Sequence, residues 1–253
     1  MFRTLLAKEF REQWRTWKVI VFLAVFLITG IISPILAKYT PELLKSIPDL
    51  PAGLADFIPT PTMADSIAQY LKNTGQFGIL LVILLTMGVV AQEKERGTAA
   101  MLLTKPVSRS AVILAKWLTG ITIVLAGLLV DGLACLAYTA VLFEPIPFGA
   151  FWTLNLLLLV YLGVYLTVAL MASTLARSQS IAAAGAFGGL IVLLILGSLP
   201  RVSDFMPGQL VTWGSSLVLS GNVETAWSAL GVSVGIIVLA LFMACLRFEQ
   251  EEI

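Results

Sequence analysis

The sequence predicts an all-α membrane protein with six transmembrane helices, an N-terminal amphipathic helix and a short cytoplasmic surface helix. Three observations predict it. Of 253 residues, 58% are hydrophobic and 12% are charged, the latter about half the charge content of a soluble domain. A soluble chain this short could not bury so much apolar surface, because folded surfaces carry a large polar share. Apolar runs recur at the length a helix needs to cross a hydrocarbon core of about 30 Å. None alternates with the period of two expected of an outer-membrane strand.

Taken in order, the first element is the flank 1–18. Phe2, Leu5, Leu6, Phe10, Trp14 and Trp17 fall mostly on one face at helical spacing, and Lys8, Arg11, Glu12 and Arg15 fall opposite. Arg3 and Glu9 interrupt the apolar stripe. Such a helix lies in the headgroup plane with its tryptophans at the aromatic belt. The spans follow at about 19–37, 75–91, 118–142, 154–176, 181–199 and 227–246. The first is no cleaved signal peptide: its flank is long and acidic in part, and no A-x-A-like site follows. Pro41, Pro48, Pro51, Pro59 and Pro61 make the outer segment 38–74 unsuited to a continuous helix, though Met63–Lys72 can form a short one. The outer segment 200–226 is apolar in places and is expected to dip into the membrane or pack on it. The whole chain, 1–253, reads as one membrane domain.

Charge placement sets the orientation. Twelve of the 16 Lys and Arg residues lie in the N-terminal flank, segment 92–117, the turn after span four and the C-terminal tail. That bias puts both termini and 92–117 on the cytoplasmic side of the cytoplasmic (inner) membrane. The acidic residues split evenly and do not decide topology.

The composition also excludes function classes. There is no histidine, so His-ligated metals, HExxH zinc sites and Ser-His-Asp triads are absent. Cys135 and Cys245 lie in apolar runs without metal-ligand spacing and read as small buried hydrophobes. No GxxxxGK[ST] loop is present to cradle nucleotide phosphates. No catalytic or metal-binding residue is expected, and nothing in the pattern points to nucleic acid.

The informative segment is 92–109, QEKERGTAAMLLTKPVSR. Gly97 lets the chain turn, Thr98 can cap a short helix over Ala99–Thr104, and Pro106 ends it. Ser108 can cap the helix that runs into span three. A short apolar helix rimmed by charge suits a groove on a cytoplasmic partner. The run EKERGTAAMLLTKPVSRSAVILAKW resembles the loop between the second and third spans of type-2 ABC exporter permeases, the membrane-spanning subunits of ABC transporters. The matching residues are Glu93, Glu95, Gly97, Thr98, Leu102, Leu103, Pro106, Val107, Ser108, Arg109 and Lys116. LLAKEFREQWR near the N-terminus and LMASTLARSQSIAAAGAFG across spans four and five extend the resemblance over essentially the whole chain.

The resemblance implies a permease subunit that moves an unidentified substrate outward. It implies a second permease copy, as homodimer or heterodimer, and a separate cytoplasmic ABC ATPase that carries ATP and Mg. This chain binds no cofactor itself. Gly97–Arg109 would be the coupling element. Phe2–Trp17, with Lys8, Glu9, Phe10 and Trp14, would be the elbow helix. A secondary transporter or channel is the alternative, and an intramembrane enzyme stands behind it. Neither the inverted repeats of the former nor the convergent polar residues of the latter are evident.

Inside the spans, Asp131 is the one carboxylate. Such a group faces a cavity or a neighbouring helix or is protonated, as a substrate, ion or proton contact or as a packing hydrogen bond; the packing reading is preferred. Gly185 and Gly189 form a GxxxG seam for close helix approach, read first as packing within the chain and second as a dimer seam. Thr167, Ser173 and Thr174 offer hydroxyls that could line a path.

Overall fold

A computed structural model describes residues 2–45, 60–98, 108–220 and 225–250. Helices α1 (Phe2–Arg15) and α2 (Lys18–Lys45) are followed by α3 (Met63–Thr86), α4 (Ala91–Glu95), α5 (Arg109–Leu142), α6 (Phe148–Leu175), α7 (Gln179–Ser198), α8 (Gly208–Leu219) and α9 (Trp227–Gln250). Six helical stretches are long and apolar enough to cross a membrane, with α3 and α4 counting as one. No strand occurs among the described residues.

The spans alternate in direction. Phe22 packs where a side chain on Gly127 would sit, and Gly30 packs on Asp131, so α2 and α5 run parallel. Between them α3 runs antiparallel, with Thr74 reaching Asp131 and Ser66 reaching Thr139. Helix α6 is the axis of the bundle and packs against α3, α5, α7, α8 and α9. Leu154, Leu158, Leu162, Val164, Leu166 and Leu170 are all fully buried along it, as expected of a helix apolar all round. Helices α7 and α9 are peripheral and expose rows of large apolar side chains, among them Ile191, Ile195, Leu239 and Phe242.

Two helices outrun their apolar stretches. Helix α2 continues through Pro34 and Pro41 to Lys45, past the proline-rich start of the expected loop. Each proline removes one N–H from the ladder, and the helix continues past both. Helix α3 starts at Met63, so the expected short helix and span two are continuous. The Asp65 carboxylate fastens its first turn by accepting from the Thr62 backbone N–H (2.7 Å) and hydroxyl (2.9 Å). The early turns stay helical because Ser66, Tyr70, Asn73 and Thr74 share one face and bond inward. Hydropathy discounts those residues as loop. The outer segment forms a 3-10 turn (Ser203–Phe205) and α8, which buries Leu210, Trp213, Gly214 and Val218. A Cβ on Gly214 would lie 2.3 Å from Leu154 Cδ1, so α8 lies tightly on α6.

The N-terminal helix buries one edge of its apolar stripe together with two polar residues, with Leu6 and Phe10 half-buried beside them. Leu5, Glu9 and Gln13 point into the bundle, while Phe2, Trp14 and Trp17 are exposed. Trp17 sits at φ 60°, a left-handed conformation costly for a bulky residue. It makes the sharp bend from α1 into α2.

Candidate functional site

Helix α5 has 34 residues, about 51 Å at 1.5 Å per residue. It therefore projects well beyond a hydrocarbon core of about 30 Å. Its first two turns meet α1 and the end of the α3–α4 span, and an ion cluster joins the three. The Lys116 ammonium contacts Glu9 at 3.1 Å and Glu93 at 2.9 Å. Lys8 contacts Glu9 and Glu93 at 2.9 Å each and Glu12 at 3.1 Å. The Lys116 and Glu9 side chains are 1% and 2% exposed, and Glu93 is 14% exposed. Burial alone pulls the Lys8 ammonium toward its neutral form. The carboxylates of Glu9 and Glu93 outweigh that and raise its pKa above the usual lysine range. Carboxylate oxygens of Glu9, Glu12 and Glu93 come within 4.8 Å of one another. Each of the three already meets an ammonium group, Lys8 or Lys116, within 3.1 Å, so the chemistry of the cluster is ion pairing.

A set of caps surrounds this cluster at the same end of the bundle. Span two breaks its helix at 87–90, which orphans backbone donors. Ser173 Oγ accepts from both Val90 N and Ala91 N at 3.1 Å. The Lys94 ammonium donates to the Thr174 carbonyl at the end of α6 and lies 5.9 Å from the centroid of the Phe248 ring. The Glu95 carboxylate accepts from Gln179 N at 3.1 Å, placing negative charge at the N-terminus of α7 where the helix dipole favours it. Arg109 donates to the Phe248 and Glu249 carbonyls at 3.3 and 3.2 Å, completing the C-terminal end of α9. Gly97 turns the chain at φ 68°, and the Thr98 hydroxyl donates to the Glu93 carbonyl at 3.2 Å.

Of the residues singled out from sequence, Lys8, Glu9, Glu93 and Lys116 come together in the cluster. Glu95, Gly97, Thr98 and Arg109 adjoin it. Ser108 occupies the N-cap position of α5 without a side-chain capping bond. The helix expected over Ala99–Thr104, with Leu102 and Leu103, lies outside the described residues, as do Pro106 and Val107. Phe10 is half-buried against the core, whereas Trp14 is 59% exposed. Glu9, which interrupts the apolar stripe, is the residue of α1 that reaches the cluster.

A second polar network crosses the bundle toward its other end. Asp131 is fully buried and accepts from Thr29 at 3.0 Å and Thr74 at 2.7 Å. Asn73 donates to Ser33 at 2.9 Å, Tyr70 donates to Asn155 at 2.6 Å, and Ser66 and Thr139 share a bond of 2.8 Å. These links tie α2, α3, α5 and α6 together. Cβ atoms on Gly185 and Gly189 would meet Ala172 Cβ at 3.2 Å and Val168 Cγ1 at 2.5 Å, so both glycines face α6 of the same chain. Thr167, Ser173 and Thr174 are all buried. Thr167 accepts from Trp117 Nε1 at 2.9 Å, and the Thr174 hydroxyl donates to the Met171 carbonyl.

Sequence reasoning missed the role of Lys116 as the second cation of the cluster and of Ser173 as a cap. It also missed the Ser66, Tyr70, Asn73 and Thr74 stripe, whose i, i+4, i+7, i+8 spacing is the signal that could have revealed it.

The family model for ABC-2 family transporter proteins matches residues 3–253. The chain is also similar to the uncharacterized transmembrane protein YxlG of Bacillus subtilis (strain 168). The two are 29% identical over 255 residues, which cover 98% of this chain and 97% of the relative.

Proposed function

The chain belongs to the ABC-2 transporter family, and from that premise we propose that the end of the bundle carrying the ion cluster is its cytoplasmic, ATPase-docking face. As a member of that family it is the multi-pass membrane component of an ABC transporter, and ATP hydrolysis belongs to a partner subunit. Membership displaces the secondary-transporter and intramembrane-enzyme alternatives. The further reading is an exporter permease that works as two copies, with Gly97–Arg109 as the coupling element and Phe2–Trp17 as the elbow.

The observation that carries this reading is the cluster of Lys8, Glu9, Glu93 and Lys116. It joins three elements that flank the proposed docking segment: α1, the end of span two and the start of span three. A push on the segment 97–109 therefore bears on all three at once. ATP binding closes the partner ATPases, the docked segments move with them, and the two bundles tilt between inward- and outward-facing states. The movement is productive because the closed ATPase favours one membrane state over the other. Within each bundle the Asp131 network keeps α2, α3, α5 and α6 moving as a unit, which supports the packing role for that carboxylate.

Purification of the tagged full chain from its native membrane tests the reading. An ABC ATPase and nucleotide hydrolysis are expected to co-purify. Gly97→Pro, which cannot adopt φ 68°, and Arg109→Glu, which sets a negative charge against the carbonyl end of α9, are expected to lose that ATPase or its coupling to transport. Intact co-purification and intact transport in both variants would overturn the assignment.

A further inference from the structure

Where α1 bends into α2, two hollows share Thr16. One, of about 480 Å³, lies against Lys8, Arg11, Glu12, Arg15 and Thr16. The other, of about 200 Å³, is lined by Thr16, Trp17, Lys18, Val21, Phe22, Leu81, Leu84 and Leu85. The first is walled by four charged side chains and a threonine, and the second is an apolar groove between α2 and α3. The groove opens sideways among exposed Val21, Leu84 and Trp17, on a surface that faces hydrocarbon in a bilayer.

The charge of the polar hollow is unbalanced. Glu12 is already engaged by Lys8. Arg11 and Arg15 are exposed, and neither they nor Lys18 forms a salt bridge among the described residues. Lys18, half-buried, lines the apolar groove two residues from the shared Thr16 and lies within electrostatic reach of Glu12 and of two further cations, Lys116 and Arg96. The site thus offers two guanidinium groups and an ammonium above an apolar slot. Guanidinium groups match phosphate oxygens in pairs, and a slot lined with aliphatic side chains matches an acyl chain.

We propose that the α1–α2 bend is a binding site for one anionic phospholipid. Its phosphate sits among Arg11, Arg15 and Lys18, and an acyl chain lies along Val21, Phe22, Leu81, Leu84 and Leu85. Charge complementarity commits the occupant to an anionic lipid. A zwitterionic lipid would bring its own cation against three others, and a soluble anion would leave the groove unfilled. The site lies beside the ion cluster, so a bound lipid would brace the bend that Trp17 makes in an unfavourable backbone conformation.

The test is lipid titration of the full chain in neutral detergent, read by native mass spectrometry. The probes are dioleoyl phosphatidylglycerol, dioleoyl phosphatidylcholine and the water-soluble headgroup glycerophosphoglycerol. A preference for phosphatidylglycerol of roughly tenfold or more over phosphatidylcholine is expected, since each basic side chain near an anionic surface contributes about fivefold. Arg11→Gln/Arg15→Gln/Lys18→Gln is expected to abolish the preference. Leu84→Trp fills the groove and leaves every cation in place; it is expected to weaken phosphatidylglycerol binding while the chain keeps its size-exclusion profile. The proposal is overturned if the wild-type chain shows no preference, if the triple variant keeps it, if Leu84→Trp binds phosphatidylglycerol as wild type does, or if glycerophosphoglycerol competes as well as the intact lipid.

Discussion

Replacing Lys116 by Met removes the one ammonium in the cluster that is screened from water on all sides. Its side chain is 1% exposed and contacts Glu9 and Glu93 within 3.1 Å. Removing one partner of a buried ion pair costs about 3–5 kcal/mol, because the other charge stays buried and unpaired. Here Lys8 still lies 2.9 Å from both carboxylates and offsets part of that. The expected loss is therefore about 2–4 kcal/mol. Lys8→Met, at a side chain 39% exposed, is expected to cost at most about 1 kcal/mol, in line with solvent-screened pairs. Thermal unfolding of the purified chain in one detergent at one scan rate reads the difference. At about 2–4 °C per kcal/mol for a chain of this size, Lys116→Met melts roughly 5–15 °C below wild type. Adding Glu9→Gln to Lys116→Met removes the stranded charge, so the double variant is expected to melt above the Lys116→Met single variant. If Lys116→Met is no worse than Lys8→Met, or if Glu9→Gln lowers stability further by its full single-variant cost, the cluster does not hold α1, the end of span two and α5 together.

Ser173→Ala orphans two backbone donors at the break in span two; a loss of about 1–3 kcal/mol is expected, with faster amide exchange at Val90 and Ala91 as the specific readout. Gly30→Ala would place a Cβ 2.3 Å from the Asp131 carbonyl oxygen. It is expected to part α2 from α5 at a cost of about 1–3 kcal/mol, while Gly188→Ala, which meets nothing within 4 Å, melts at or slightly above wild type. For Asp131, the packing role predicts that Asn, which can still bond both threonine hydroxyls, preserves expression and transport, whereas Leu lowers the melting temperature. Loss of transport in a stably expressed Asp131→Asn would instead assign the carboxylate to the transport path.

The amino-acid sequence by itself determined the class of the molecule and the number of its spans. Those are consequences of composition summed over windows of about 20 residues, and a bilayer rewards that sum directly. The turn at Gly97 was legible for a related reason: a glycine acts on its immediate neighbours, and the chain turns there at φ 68°. Tertiary structure alone decided which face of α1 turns inward. A helical stripe scores Glu9 as a defect, yet Glu9 goes in because Lys116, 107 residues away, is there to meet it. The length of α3 was decided in the same way. Ser66, Tyr70, Asn73 and Thr74 look too polar for a span until α2, α5 and α6 supply their partners. Burying a polar or charged group is unfavourable until a partner of matching chemistry is placed within bonding distance. That distance is set by how the helices pack, and no window along the chain contains it.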